Sequence, residues 1–105
     1  MQYHVNDRLV DRGAAAVSVD DRGFRYGDAA FETCRGYGGT VFTWARHCRR
    51  LRQACETLSM AEAVPKNLTG RIEATLAANS FSEAYLRVPV SGGFLIREAI
   101  ACRGR

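Results

Sequence analysis

The segment TWARHCRRLRQACETLSM, residues 43–60, carries the side chains best suited to hold an anion. His47 and Arg50 are three residues apart, so a helix would place them on one face, beside its apolar stripe. A planar guanidinium at that position can hold a phosphate through two hydrogen bonds. Arg46, Arg49 and Arg52 would lie on the opposite, solvated side. Two interpretations stay open: Arg50 binds an anion, or all these arginines serve only to solvate the helix.

A second candidate is the stretch DRGFRYGDAAFET, residues 21–33, which mixes rings and charges with little periodicity until its end. Tyr26 and Phe31 could line a pocket or pack as core aromatics. We expect Asp28 and Glu32 to cap or solvate local backbone instead of acting as acid or base. The stretch is therefore predicted to be a structured loop that leads into a strand.

Several short segments have the composition of β-strands. QYHVN and the LV that follows predict a hairpin, with Asn6 and Asp7 as turn formers. AAAVSV predicts a further short extended piece. FETCRGY predicts a strand that turns at Gly38–Gly39 into TVF. EAYLRVPV predicts another strand, and Pro89 favours an edge position or a strand end because proline cannot donate to the ladder.

Two segments have helical periodicity. The first has Thr43 as a plausible N-cap. Its apolar face, at helical spacing, consists of Trp44, Cys48, Leu51, Cys55 and Leu58. The second begins near Pro65, a favoured first-turn residue, and ends near Asn79, with an apolar face of Leu68, Ile72 and Leu76. Because strands and helices are segregated more than alternating, we predict an α+β fold with two helices and a largely antiparallel sheet.

The bulk composition fits one ordinary globular domain of 105 residues. It contains no apolar run of about 18 residues and no apolar N-terminal segment, so we expect no membrane span, no signal peptide and a cytoplasmic location. The net charge of +4 rests almost wholly on arginine, with Lys66 the only lysine. That charge could favour nucleic acid or anionic metabolites, or serve solubility alone.

The cysteines at positions 34, 48, 55 and 102 have no C-x-x-C spacing. We therefore expect no metal site. Cys48 and Cys55 are predicted to face the core as small apolar residues. Disulfides are not expected in a chain without a secretion signal.

Four motifs, taken in order, resemble the N-terminal domain of the class IV aminotransferases, which are fold-type IV pyridoxal-phosphate enzymes. They are DRGFRYGD at 21–28, FETCR at 31–35, HCRRL at 47–51 and YLR at 85–87. This family includes branched-chain and D-amino-acid aminotransferases and aminodeoxychorismate lyase. The resemblance runs over about 90 residues in register. It implies the small N-terminal domain of such an enzyme, over residues 1–90.

The resemblance also implies roles for individual residues. Arg50 matches the arginine that grips the phosphate of pyridoxal 5′-phosphate. The matched substrate-pocket positions are Tyr26, Phe31, Arg35, Tyr85 and Arg87. Arg87 would receive a substrate side-chain carboxylate, and its neighbouring rings would accept apolar side chains. The implied partners are an amino acid and a 2-oxo acid, and the family implies a homodimer in which the loop around Tyr26 reaches the neighbouring subunit.

The resemblance implies that the Schiff-base lysine belongs to a second, larger domain beyond residue 105. Lys66 matches no family lysine, so no catalytic residue is assigned. Residues 91–105 depart from the family pattern and are treated as a divergent tail without a clear role. We expect a truncated or frame-disrupted product, or one part of a split enzyme, that is inactive alone.

Three alternatives remain: an aminodeoxychorismate lyase-like domain, a basic anion-binding module, and a non-catalytic dimerisation partner. FETCR and Arg87 favour the aminotransferase over the lyase. The basic residues surround the helix, the aromatic residues lie elsewhere, and no nucleic-acid motif is recognised. We therefore expect neither nucleic acid nor membrane as a partner.

Overall fold

The computed structural model describes residues 1–92 and 99–104. Within these residues the strands are β1 (Gln2–Val5), β2 (Arg8–Asp11), β3 (Ala29–Tyr37), β4 (Thr40–Val41), β5 (Glu83–Ser91) and β6 (Ala99–Gly104). The α-helices are α1 (Arg22–Tyr26), α2 (Trp44–Thr57) and α3 (Leu68–Asn79), with 3₁₀ turns at Arg12–Ala14 and Ala61–Ala63. The strands form one sheet in the order β2-β1-β6-β5-β3-β4, and every pairing is antiparallel. The predicted α+β class with a largely antiparallel sheet is confirmed.

The long β3–β5 ladder organises the sheet. Its register runs from Ala29 opposite Ser91 to Tyr37 opposite Glu83. Along β3, buried and exposed residues alternate without a break, because successive side chains point to opposite faces of a strand. One face therefore packs against the helices, and the other, which we call the open face, is largely exposed.

Helices α2 and α3 cover the buried face. Their inward residues Leu51, Cys55, Leu68, Ile72 and Leu76 pack with the sheet residues Leu86, Val88, Val90, Ile100 and Cys102. The two predicted helices are thus confirmed, although α2 ends at Thr57, so that the predicted core residue Leu58 is exposed, and α3 begins at Leu68, after Pro65. Thr43 does precede α2, but its backbone is left-handed (φ 52°) and its side chain does not cap the helix. Its hydroxyl donates to the carbonyl of Phe42 instead.

The loop over residues 21–28 contains the short helix α1, which the sequence did not predict. Asp21 caps it by accepting from the backbone N–H of Phe24 at 3.1 Å. Gly27, at φ 73°, ends it. Ser91 donates to Asp21 at 2.6 Å, which ties the helix to the end of β5. Gly23 lies close enough to this junction that a Cβ there would approach Ser91 and Asp21 to 3.0 Å.

The segment after residue 90 has a structural role that the sequence did not reveal. Ser91 ends β5, and Ala99–Gly104 forms β6, between β1 and β5 in the middle of the sheet. Residues 93–98 and 105 of the predicted tail lie outside the described residues. Pro89 belongs to a central strand, so the predicted edge position is wrong. It does lie near the end of β5, beyond Arg87, the last β5 residue in register with β6.

The extended piece predicted for AAAVSV is also wrong. Residue 14 closes a 3₁₀ turn, and residues 15–18 have no regular structure. The four cysteines are free thiols, and Cys55 and the half-buried Cys48 pack in or against the core, as predicted. In the described part of the chain, no helix is long and apolar enough to cross a bilayer. No group of three His, Cys, Asp or Glu side chains placed to hold a metal occurs there either.

Candidate cofactor and substrate site

A buried carboxylate holds the arginine that the sequence singled out. Arg50 Nε lies 2.9 Å from Glu32 Oε2 and 3.2 Å from Oε1, and Arg50 Nη2 donates to Oε1 at 2.7 Å. His47 Nδ1 is 2.7 Å from Glu32 Oε1. Since an ionised carboxylate only accepts, Nδ1 carries the proton and donates. Glu32 is therefore a shared acceptor for both polar residues of the HCRRL motif.

Local structure explains this arrangement. Glu32 occupies an inward position in the alternating pattern of β3, with an exposed fraction of 7%. Helix α2 packs against β3 and presents His47 and Arg50, one turn apart, over that carboxylate. A buried charge must be paired to be tolerated, and here both partners come from one helix face.

The electrostatics follow the geometry. Hydrogen bonding from Arg50 is the main factor that holds the pKa of Glu32 below its ordinary value, against the opposing effect of burial. The same hydrogen bond raises the pKa of Arg50. Burial, with the Glu32 charge nearby, raises the pKa of Cys34 to about 12. Glu32 and Arg50 are thus both charged at neutral pH, and the Cys34 thiol is not a nucleophile.

The guanidinium of Arg50 has capacity left for a second anion. Its side chain is 66% exposed. Glu32 occupies the edge formed by Nε and Nη2, and no other residue in the described part of the chain accepts from Arg50. A guanidinium carries five N–H donors in a planar fork, so the Nη1 side can bind an oxyanion while Glu32 stays in place.

Four of the five predicted substrate residues lie together on the open face. Phe31, Arg35, Tyr85 and Arg87 occupy outward positions of β3 and β5. The Arg87 guanidinium lies over the Phe31 ring at 4.0 Å, and that of Arg35 over the Tyr85 ring at 5.1 Å. A hydrogen bond with Tyr37 is the main factor that raises the pKa of Arg35. This face pairs cations with rings.

A cleft of about 280 Å³ opens beside Arg87 on this face. Its walls include Tyr3, Tyr85 and Arg103, the last of which lies over the Tyr85 ring at 5.2 Å. Tyr3 and Arg103 were not predicted. Arg103 can be recognised as a cleft residue only once the pairing of β6 with β5 is known, because that register sets Arg103 directly opposite Tyr85.

Tyr26 stands apart from this group. It lies at the end of α1, 64% exposed, with its ring beneath the guanidinium of Arg25 at 5.0 Å. It does not line the open-face cleft. Its predicted substrate role stays a prediction that this structure does not test.

Arg50 and the open-face residues lie on opposite faces of the sheet but meet at one edge. Phe31 and Glu32 are consecutive, so their side chains point to opposite faces. Strand β4 pairs only with Gly36 and Tyr37 of β3. At positions 31 and 32, β3 is therefore the edge of the described sheet, and a ligand can reach both faces around that edge.

Glu32 itself was assigned only a local backbone role, which is wrong for its side chain. The alternation of β3 gave the relevant signal. Ala30, Glu32, Cys34 and Gly36 share the inward face, and a carboxylate among such residues requires a buried partner.

A family model described as "Amino-transferase class IV" matches residues 29–99. The chain belongs to the class IV aminotransferase family. The match covers strands β3, β4 and β5 and both long helices, and includes Glu32, His47 and Arg50.

Sequence relatives of this class IV aminotransferase chain carry aminotransferase names. A putative branched-chain-amino-acid aminotransferase of Methanocaldococcus jannaschii is 35% identical over 94 residues, which cover 89% of this chain and 33% of that protein. A D-alanine aminotransferase of Listeria innocua is 33% identical over 94 residues, covering 89% of this chain and 32% of that protein. The chain thus spans about a third of the length of the curated relatives it matches.

Solved structures agree on the fold. A branched-chain aminotransferase from Thermoproteus uzoniensis, with norvaline, superposes with a TM-score of 0.80 at 26% identity, covering 99% of this chain and 40% of that one. A hypothetical aminotransferase from Mycobacterium tuberculosis, in its form with alpha-ketoglutarate and PMP bound, gives a TM-score of 0.81 at 20% identity. That match covers 99% of this chain and 40% of the other. The fold is that of the N-terminal domain of fold-type IV aminotransferases.

Proposed function

We propose that this chain forms the cofactor-phosphate and substrate-side wall of a pyridoxal-phosphate-dependent aminotransferase. The whole enzyme would transfer an amino group between an amino acid and a 2-oxo acid, as the branched-chain and D-alanine aminotransferase names of its relatives suggest. The observation that carries the proposal is the exposed Arg50, fixed from behind by the buried Glu32.

The residues present fit a bound phosphate monoester. Arg50 keeps N–H donors on the side away from Glu32, and they match the spacing of phosphate oxygens. A free arginine side chain loses about 2 kcal/mol of rotamer entropy when it is immobilised. Glu32, itself held by His47, fixes that side chain before any ligand arrives, so part of this cost is removed from binding.

When bound, pyridoxal phosphate would act as the electron sink of the reaction. This chain's own residues bind and orient. Arg50 would hold the phosphate at the β3 edge, and the ring-flanked Arg87 and Arg35 on the open face would attract substrate carboxylates. Phe31 would supply an apolar wall between the two regions.

The 105-residue chain by itself is expected to have no aminotransferase activity. Its only lysine, Lys66, lies in the turn before α3. It belongs to none of the elements that carry Arg50 and the open-face residues, so we assign it no Schiff-base role. In the full-length enzyme, we expect the lysine from a second domain, a homodimer and a cytoplasmic location.

The test uses pyridoxamine 5′-phosphate, which cannot form a Schiff base with stray amines. Its binding to the chain is followed by NMR chemical shifts, with pyridoxamine as the ligand that lacks phosphate. Arg50→Gln is compared with Arg52→Gln, an exposed arginine on the same helix. Loss of one charge-assisted pair corresponds to about 1.5–3 kcal/mol, or roughly 10- to 100-fold in affinity.

The proposal predicts shifts around Glu32, His47 and Arg50, at least roughly tenfold weaker binding in Arg50→Gln, and nearly unchanged binding in Arg52→Gln. Equal affinity for pyridoxamine with and without its phosphate would contradict it. Equal loss in the two variants would show only general attraction to positive charge.

A further inference from the structure

The open face carries three guanidiniums in close array. Cross-strand register sets Arg35, Tyr85 and Arg103 in one row across β3, β5 and β6. Tyr85 thus has Arg35 at 5.1 Å and Arg103 at 5.2 Å from its ring centroid. Arg87 belongs to the next row and lies over Phe31. The rings favour these positions of the guanidiniums, since an aromatic face attracts a cation.

None of these three guanidiniums forms an ion pair within residues 1–92 and 99–104. By contrast, the exposed Arg22 forms an ion pair with Asp28 at 3.0 Å. Neighbouring positive charges repel one another. Where the fold nevertheless keeps them together, their combined positive potential attracts an anion.

The cleft lies between two of these cations. Arg87 is directly opposite Ala101, and Arg103 is two residues further along β6, so the backbones of the two arginines are diagonal neighbours, a spacing of roughly 7–8 Å. Ala101 forms part of the floor, where its small side chain leaves the cleft open, and Tyr3 and Tyr85 form walls.

We propose that Arg103 acts with Arg87 as a two-arginine subsite for substrate carboxylate, in which Arg103 determines specificity for ligands that place negative charge over β6. This rests on the proposed function, because it concerns the substrate side of the same site. Both arginines line this cleft, so a carboxylate bound in it would be within reach of Arg87 and of Arg103. A ligand with two carboxylates would pair one with each arginine, since the two side chains come from neighbouring strands and line the same cleft.

The test needs no cofactor and no turnover. The purified chain is titrated with glutarate and with butyrate, which have similar carbon chains but two carboxylates or one, and chemical shifts of β5 and β6 amides are recorded. Wild type is compared with Arg103→Gln, with Arg103→Lys, and with Arg49→Gln as an exposed control on α2. Thermal melts confirm that each variant is folded.

We expect glutarate to bind roughly tenfold more tightly than butyrate, because a second charge-assisted pair forms. Arg103→Gln should remove that preference, Arg103→Lys should keep part of it, and Arg49→Gln should keep all of it. An undiminished preference in Arg103→Gln, or equal binding of both acids by wild type, would overturn the proposal. Pyridoxamine 5′-phosphate binding through Arg50 is measured on the same samples, so a failure of this subsite is distinguished from a failure of the proposed function.

Discussion

Replacing Arg50 by alanine should destabilise the fold even without a ligand, because Glu32 would lose its main partner. Arg50 makes contacts of 2.7, 2.9 and 3.2 Å to that carboxylate, and His47 alone would remain. Leaving a buried charged acceptor short of a partner costs about 1–3 kcal/mol. Since the Arg50 side chain is 66% exposed, water can take part of its place, and we expect about 1–2 kcal/mol.

The assay is thermal and urea unfolding at pH 7, with Arg52→Ala as the matched control. A loss of 1 kcal/mol lowers Tm by about 4–8 °C in a domain of this size. A double-mutant cycle with Glu32→Gln isolates the pair, and we expect a coupling free energy of roughly 1 kcal/mol.

The pH dependence gives a second check on the same pair. Arg50 lowers the folded-state pKa of Glu32, so the stability from this pair is present above the ordinary glutamate value near 4.5 and is lost as pH falls through the folded value. The gap between wild type and Arg50→Ala should therefore be full at pH 7 and shrink below pH 4.5. If Arg50→Ala and Arg52→Ala melt alike at pH 7, the pair contributes nothing and the reasoning fails.

Burial lowers the folded-state pKa of His4 below 6.5, so its neutral form stabilises the fold above that pH. Unfolding free energy should fall from pH 7 to 5, with a smaller slope in His4→Gln; equal slopes would contradict this. Because burial raises the pKa of Cys34 to about 12, iodoacetamide at pH 8 should label the half-buried Cys48 first. Peptide mass spectrometry measures the labelling, and preferential labelling of Cys34 would contradict this expectation. Gly23→Ala should cost about 1–3 kcal/mol in urea unfolding, because its Cβ would meet Ser91 and Asp21. Gly70→Ala, in a helix with open space around it, should instead stabilise by about 0.5–1 kcal/mol, and equal effects of the two changes would refute the packing argument.

The local sequence pattern was sufficient to predict those helices and strands that have strong hydrophobic periodicity or clear turn residues. The first hairpin was predictable from Asn6 and Asp7, and the structure puts Asn6 at φ 55° between β1 and β2. Helices α2 and α3 followed from their apolar spacing. The antiparallel sheet followed from the segregation of strands and helices.

The elements that were missed depend on distant partners. Helix α1 has five residues, too few for a periodic signal, and is held by Asp21 and by Ser91, which is 70 positions away. Strand β6 has no clear alternation in sequence. It is a strand because β1 and β5 leave a gap in the sheet that its backbone fills.

The candidate site was only partly predictable, because some of its contacts also join residues that are distant in sequence. Resemblance to the family motifs identified Arg50 and the four open-face residues. The local sequence was sufficient to place each of these residues on its helix or strand. The partner of Arg50 was missed because Glu32 is 18 positions away and its orientation depends on which face of β3 packs against α2. Arg103 was missed because its relation to Tyr85 exists only through the β5–β6 register.

The most direct test of the central claim is a crystal structure of the chain with pyridoxamine 5′-phosphate. The account predicts phosphate oxygens about 3 Å from the Nη atoms of Arg50, with the Glu32 contact to Nε retained. A phosphate bound elsewhere on the arginine-rich helix, with Arg50 engaged by Glu32 alone, would contradict it.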